Sequence, residues 1–241
     1  MSPPFLRPFW RYYGGKWRAA PRYPAPTHGM IIEPFAGAAG YSLRHYQRRV
    51  HLIEKYPVVV GIWRYLIGVS AAEVRRIPYV EHVDELPTWV PQEGRWLVGF
   101  AMNAATVSPC KQLSSGRRKL RALGRIFEGW SPAFRERVAS QVDHIRHWKV
   151  YEDDYRWRGL NPRATWFIDP PYQRMGNHYV HASNAIDFGE LGRWCRRRLG
   201  QVIVCENAGA DWLPFQSFAT IKASSMSRKS GVSQEVIWTN R

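Results

Sequence analysis

The feature that most constrains the fold is an apolar stretch at residues 30–35 that runs directly into a small-residue turn at 36–40. The stretch has the length and composition of a buried β-strand, and the Gly- and Ala-rich turn interrupts it. A second apolar run follows at 50–54 and ends in Glu54. Strand, small-residue turn, helix and second strand form the opening of a doubly wound α/β sheet, in which the turn passes beneath a bound nucleotide-like ligand. We therefore predict an α/β protein whose ligand lies close to Gly37.

The residues that follow this turn extend the same prediction. Residues 41–49 have a helical composition and are expected to form the helix of the unit. Glu54 lies 17 residues after Gly37 (54 − 37), about the spacing of a carboxylate that binds ribose hydroxyls. Taken alone, Glu54 is equally well interpreted as an exposed acid at a strand end, and the turn before it favours the ribose role.

A second set of polar residues follows another short apolar run, residues 165–168. The run is succeeded by Asp169, Pro170, Pro171 and Tyr172. The prolines fix φ and lack backbone donors, so their carbonyls point in set directions. Because ligands of open α/β sheets bind at the carboxyl ends of strands, two acceptors and one aromatic face here predict a pocket for a planar heteroaromatic amine such as a nucleobase. The alternative is a Pro-Pro turn capped by the aspartate.

The segment before the first strand carries a different signal. Residues 1–11 are rich in proline and basic residues and are predicted to form an extended arm. Residues 12–16, Tyr-Tyr-Gly-Gly-Lys, pair two glycines with a cation, which allows the backbone to approach a ligand closely. A plain loop is the competing interpretation of this segment.

The charge balance points to a polyanionic partner. Lys+Arg number 35 against 19 Asp+Glu, a net charge of +16, so nucleic acid is the first candidate and a merely basic protein the alternative. The three cysteines are widely spaced and lack the spacing of metal ligands, which is typical of reduced thiols in a cytosolic protein. The sequence contains no apolar signal core and no run of membrane-spanning length.

The middle of the chain, residues 71–149, loses the alternation of strand and helix and is predicted to be a helical insertion. Within it, arginines recur every four residues and leucines and a phenylalanine lie on another side, which predicts an amphipathic helix with a basic stripe facing DNA. A solvated basic face is the alternative. The stripe consists of Arg117, Arg121 and Arg125, and the apolar side of Leu120, Leu123 and Phe127. Near the end of the sequence, residues 220–222 and 235–238 are predicted to pair as antiparallel strands.

Together these motifs resemble the Dam-type DNA adenine methyltransferases, a family with many phage-encoded members. The resemblance covers the first third of the sequence and about its last ninety residues. It implies an α/β, Rossmann-like S-adenosylmethionine-dependent methyltransferase sheet formed by residues 1–70 and 150–241. It also implies that residues 71–149 are a helical DNA-recognition insertion.

The resemblance assigns roles residue by residue. Ala39 stands where the family's Phe-x-Gly-x-Gly motif has its second glycine, and Gly40 follows it. Asp154 matches the acid near the cofactor adenine, with its neighbour Asp153 an alternative. The implied catalytic residues are Asp169, Pro170 and Tyr172. The implied cofactor-binding residues are Tyr12, Gly14, Gly15, Lys16, Phe35, Gly37, Glu54 and Asp154. The implied substrate-binding residues are Pro171, Tyr179, Arg117, Arg121, Arg125 and Arg228.

The chemistry implied by the family is methyl transfer from S-adenosylmethionine to the N6 amine of adenine, flipped out of double-stranded DNA, with no metal. The implied setting is the cytoplasm of a bacterium or phage-infected host, within restriction-modification, and the chain is expected to act as a monomer. Four alternatives stay open: amino-cytosine transfer, carbon-5 cytosine transfer through Pro109-Cys110 and Glu206-Asn207, an RNA substrate, and a non-catalytic nucleic-acid-binding protein.

Overall fold

The centre of the molecule is a seven-stranded sheet. The computed structural model describes residues 3–103, 106–124, 129–157, 161–174, 176, 179–222 and 232–240. The strands are β1 (Met30–Glu33), β2 (Arg49–Glu54), β3 (Lys149–Glu152), β4 (Ala164–Ile168), β5 (Gly200–Asn207), β6 (Gln216–Lys222) and β7 (Val232–Thr239). β4 is buried along its whole length, as expected for a central strand covered on both faces.

The strand order identifies the sheet as doubly wound. It runs β3-β2-β1-β4-β5-β7-β6, with β1 to β5 parallel and β7 antiparallel to both of its neighbours. The chain winds outward from β1 to β3 and then returns to begin the other half at β4. The point where the order reverses lies between β1 and β4, which is where such sheets bind ligands. This is the predicted Rossmann-like, methyltransferase-type sheet, and the predicted antiparallel pair is its β6–β7 edge.

Six α-helices accompany the sheet in the described residues. They are α1 (Pro57–Gly68), α2 (Ala71–Arg76), α3 (Gln92–Met102), α4 (Ser115–Ala122), α5 (Pro132–Ala139) and α6 (Phe188–Arg196). Helices α2 to α5 all fall within residues 71–149. Buried side chains from this region, including Leu97 and Trp130, belong to the same hydrophobic cluster as Leu52 of β2. The helical region is therefore packed onto the sheet through a shared core. No helix in the described part of the chain is both long and apolar enough to cross a membrane.

Two local predictions were wrong. Residues 41–49 form only a short 3-10 helix, Ser42–His45, because Arg49 already begins β2 and leaves no room for a longer helix. Tyr41 in this connection is fully buried and its ring stacks on Phe167 of β4, with centroids 4.3 Å apart. The connection between β1 and β2 is therefore short and places one aromatic ring in the core, and the predicted surface helix is not formed there.

The predicted extended arm, residues 1–11, also differs from expectation. Leu6, Phe9 and Trp10 are fully buried, and the ring of Trp10 lies 4.9 Å from that of Trp63 on α1. The prolines and arginines of the arm suggested exposure, whereas its three apolar side chains supply part of the core. The arm therefore fixes the position of the segment that follows it, residues 12–16.

Candidate active site

A pocket opens at the carboxyl ends of the parallel strands. It is partly open to solvent, and its volume is about 210 Å³. Most of the residues predicted for the site line it: Tyr12, Gly14, Lys16, Phe35, Gly37, Glu54, Asp154, Asp169, Pro171 and Tyr179. Gly15, Pro170 and Tyr172 are their immediate neighbours in the chain. The fold thus brings together motifs that are far apart in the sequence.

The small-residue turn after β1 is held by Glu54. The N–H of Gly37 donates to Glu54 Oε2 at 2.9 Å, and the N–H groups of Lys55 and Tyr56 donate to Oε1, each at 2.9 Å. Gly37 has a φ of +44°, a left-handed conformation that glycine adopts without strain. Burial raises the pKa of Glu54, and the three backbone hydrogen bonds oppose that rise. A carboxylate offers about four acceptor positions, so one remains for a ligand hydroxyl.

Gly40 allows the segment 12–16 to cross this turn. A side chain at Gly40 would begin 2.5 Å from the backbone nitrogen of Trp17 and 3.0 Å from the carbonyl carbon of Lys16. No larger residue fits in that space without moving the backbone. Because the segment passes so close, the side chain of Lys16 reaches the end of β4.

Lys16 forms a buried ion pair with the predicted catalytic carboxylate. Its Nζ lies 2.9 Å from Asp169 Oδ1, donates to the carbonyl of Gly14 at 2.9 Å, and stands 4.8 Å from the centroid of the Tyr172 ring. Burial raises the pKa of Asp169 to about 6, although Lys16 acts to lower it. Lys16 was predicted to bind cofactor; it lines the pocket, and its ammonium group lies against the Asp169 carboxylate.

The Tyr172 ring is fixed by a residue that sequence reasoning missed. The hydroxyl of Tyr172 donates to Oε1 of Glu235 at 3.3 Å, and the hydroxyl of Tyr23 donates to Oε2 at 2.6 Å. Glu235 lies on β7 and is buried. The residue after Tyr172 is also held, since the N–H of Gln173 donates to Glu206 Oε1 at 2.8 Å. No local pattern marks Glu235, because its partners lie far away in the sequence.

Glu33 is a second residue that was not assigned a role. It ends β1, lines the pocket, is buried, and accepts a hydrogen bond from the N–H of Ser42 at 2.8 Å. Burial raises the pKa of Glu33 to about 8, and the charge of Asp169 adds to the rise. Its carboxyl group is therefore mostly protonated at neutral pH. The sequence signal that could have identified Glu33 as a site residue is an acid at the end of a buried strand.

The opposite side of the pocket contains the predicted adenine-side residues. The ring of Phe35 stacks on Tyr155, with centroids 5.6 Å apart. Asp154 lines the pocket and accepts hydrogen bonds from the backbone and guanidinium of Arg156, which hold its pKa below the usual range although burial acts to raise it. Asp153, the alternative, is not among the described lining residues, and its Oδ1 accepts from the N–H of Asp154. Of the two acids, Asp154 is the one placed at the pocket.

Tyr179 closes the pocket on the side of the segment 12–16. Its hydroxyl donates to the carbonyl of Tyr13 at 3.3 Å, and the two rings meet edge to face at 5.5 Å. The same hydroxyl occupies the space that a side chain at Gly14 would need. Tyr179 therefore lies over Gly14.

The basic stripe on α4 is oriented differently from the prediction. Arg121 is half-buried, forms an ion pair with Glu81 at 2.7 Å and contacts the hydroxyl of Tyr79. Arg117 is also half-buried, whereas Leu120 and Leu123 are 39% and 59% exposed. The hydroxyl of Tyr79 and the carboxylate of Glu81 hold the Arg121 guanidinium against residues 79–81. None of these residues lines the pocket. Arg125, Phe127 and Arg228 lie outside the described residues.

The cysteine motif of the carbon-5 alternative lies elsewhere. Cys110 follows α3, and its N–H donates to the carbonyl of Gly99 on that helix at 3.1 Å. Cys110 is not among the described pocket-lining residues. Glu206, the acid of the second motif, accepts from Gln173, Asn207 and Trp212.

Comparison with known proteins gives little further information. No family model and no curated protein matches the chain. Among solved structures, the chain is similar to a conserved hypothetical protein from Streptococcus pyogenes, with 10% identity, a TM-score of 0.40, and coverage of 92% of this chain and 89% of that one. It is also similar to the rRNA methyltransferase AviRa from Streptomyces viridochromogenes, with 14% identity, a TM-score of 0.44, and coverage of 98% and 88%. Likenesses this distant carry no argument about function.

Proposed function

We propose that the protein transfers a methyl group from S-adenosylmethionine to the N6 amine of an adenine in double-stranded DNA. The observation that carries the proposal is a single pocket containing both the turn at Gly37 with Glu54 and the Asp169–Pro171 corner. The first pair suits a nucleoside moiety, and the second suits a planar amine. Adjacency of the two sites is what group transfer between bound molecules requires.

The chemistry of the lining residues fits S-adenosylmethionine. Glu54 keeps an acceptor position for ribose hydroxyls, Phe35 presents a half-buried aromatic face for adenine, and Asp154 is an ionised acceptor beside it. The positive φ of Gly37 leaves the turn without a side chain at its tightest point. When bound, S-adenosylmethionine supplies an electrophilic methyl group. These residues hold and orient the cofactor.

Asp169 acts in this proposal as the acceptor for the target amine. The amine of adenine is a poor nucleophile because its lone pair is delocalised into the ring. Hydrogen bonds from that amine to the Asp169 carboxylate and the Pro170 carbonyl favour a pyramidal nitrogen, and they strengthen as positive charge develops. Lys16 forms an ion pair with Oδ1, which has no hydrogen-bond partner among the described residues, so the carboxylate keeps acceptor capacity for the amine. Tyr172, held by Glu235, provides a face for the base.

Duplex DNA is the proposed substrate because of the family resemblance and the net charge of +16. A base inside a duplex must be flipped to reach a pocket of this kind, at a cost of a few kcal/mol. Stacking returns about 1–3 kcal/mol per base, and phosphate contacts supply much of the remaining affinity. On α4 the exposed cations are Arg118 and Lys119 rather than the predicted stripe.

The direct test is incubation with labelled S-adenosylmethionine and unmethylated duplex DNA, followed by digestion and identification of the nucleoside. N6-methyladenine is the expected product. Methylated cytosine would show that the protein is a cytosine methyltransferase. Label in RNA alone would make RNA the substrate, and cofactor binding without any product would favour a binding role.

Glu54→Ala is expected to weaken S-adenosylmethionine binding by about 10- to 100-fold, because the variant loses the ribose acceptor and the anchor of the Gly37 turn. Isothermal titration calorimetry measures the change. Glu152→Ala is the matched control, since Glu152 ends the neighbouring strand but is exposed and pairs with Arg64. Equal affinities for both variants would remove Glu54 from the cofactor site.

Cys110→Ser is expected to leave methyl transfer within about twofold of the wild-type rate. Only carbon-5 cytosine chemistry needs a thiol nucleophile, and the backbone of Cys110 is tied to α3. Initial rates with labelled cofactor measure the effect. A loss of activity together with an intact thermal unfolding transition would revive the carbon-5 alternative.

A further inference from the structure

The five parallel strands carry opposite charges at their two ends. At the carboxyl ends, four of the five strands finish with a carboxylate or are followed directly by one, and β5 has one as its second-to-last residue. In the order β1 to β5 these are Glu33, Glu54, Glu152, Asp169 and Glu206. This edge contains the pocket, and three of these carboxylates, Glu33, Glu54 and Asp169, line it. The excess of 16 positive charges must therefore reside on other surfaces.

At the amino ends, cations lie at or shortly before four of the five strands, all except β1. Arg49 begins β2, Lys149 begins β3, Arg163 immediately precedes β4, and Arg197 lies three residues before β5. Because the amino ends of parallel strands share one edge, these four side chains form one row, here called the basic edge. Neighbouring strands are about 4.8 Å apart, so five strands span roughly 19 Å.

The basic edge is open and uncompensated. All four of its side chains are exposed, and none of them forms an ion pair with another described residue. Their field is felt locally: burial lowers the pKa of His51 on β2, and Lys149 and Arg49 lower it further. A row of unpaired cations that destabilises a neighbouring positive charge is a site for anions.

We propose that the basic edge is a second binding surface for the phosphodiester backbone of duplex DNA, on the side of the sheet opposite the pocket. A duplex carries one phosphate charge per about 1.7 Å of axis, so an edge of roughly 19 Å faces several phosphates at once. The two edges are separated by the length of the strands, roughly 26 Å for the eight residues of β5. Both edges can therefore be occupied at once only by a long duplex that bends or by two separate duplex segments.

The test measures equilibrium binding of a 60-base-pair duplex by fluorescence anisotropy at several salt concentrations. Arg49→Gln with Arg163→Gln removes two contacts, so the slope of log K against log salt should become shallower by about 1.8. Affinity at low salt should fall by on the order of tenfold. Thermal unfolding and S-adenosylmethionine binding report whether the variant remains folded.

Arg64→Gln with Arg75→Gln is the matched control. It removes the same net charge from exposed cations, but each of these is already paired, with Glu152 or Glu136. The control should change the slope little. Equal slopes for the two double variants would overturn the proposal, as would loss of binding to anionic lipid vesicles while DNA binding stays intact. DNA binding at the basic edge does not require catalysis. A protein that binds DNA there but forms no methylated product would refute the proposed function and leave this proposal standing.

Discussion

Replacing Asp169 by alanine is expected to abolish methyl transfer while DNA binding is retained. The variant lacks the charged acceptor for the target amine, and loss of one such transition-state contact lowers kcat by about 100- to 1000-fold. Single-turnover assays with labelled cofactor measure the loss, and anisotropy measures DNA affinity. Asp153→Ala is the control. Asp153 is the acid next to Asp154 and is not among the described lining residues.

The Asp169 variant needs a second measurement because it leaves Lys16 buried without its partner. Breaking a buried ion pair on one side costs about 3–5 kcal/mol of stability. Asp169→Ala combined with Lys16→Met removes both charges and should recover much of that stability without recovering activity. Appreciable transfer in the folded double variant would show that Asp169 is not the acceptor.

The second large effect is expected from Lys16→Met. In the wild type the pKa of Asp169 is about 6, so its carboxylate is about nine-tenths ionised at pH 7. Transfer should therefore rise with pH through a midpoint near 6, since the ionised form accepts the amine. Removing Lys16 takes away the cation that lowers this pKa, so the midpoint should move upward and the rate at pH 7 should fall by about tenfold or more.

Single-turnover rates between pH 5 and 9 measure this shift. Lys111→Met serves as the control, because Lys111 is an exposed cation outside the pocket. A Lys16 variant with unchanged midpoint but weaker cofactor binding would return Lys16 to the cofactor role suggested by its sequence motif. A change in rate without any change in midpoint would mean that Lys16 acts only through packing.

The parts of the site that could be predicted from sequence are those encoded locally. Gly37 follows β1 and Glu54 ends β2, so a strand, turn and strand that are close in the chain placed both residues at one edge of the sheet. Asp169 and Tyr172 directly follow a strand that is apolar at every position, which placed them at the sheet edge. In both cases strand geometry determines the result, and a strand is recognisable from its own residues.

The parts that were missed depend on contacts between distant segments. Glu235 looks like any acid on an edge strand until β7 pairs with β5 and brings it to Tyr172. The burial of Trp10 depends on α1, which begins almost fifty residues later. Arg121 is paired with Glu81, a partner that helical periodicity cannot reveal. Sequence periodicity shows whether one face of a helix or strand is polar or apolar, but it does not show which residues pack against that face.

The hydrogen bond from Tyr23 to Glu235 joins residues 212 positions apart. The same carboxylate on β7 holds Tyr172, which we propose faces the target base, whereas Lys16 comes from before the first strand. A chain still emerging from the ribosome cannot form the hydrogen bond that holds Tyr172 until β7 has been made. Contacts of such long sequence separation also slow folding. Newly synthesised molecules should therefore gain activity late and abruptly, with no partly active intermediate.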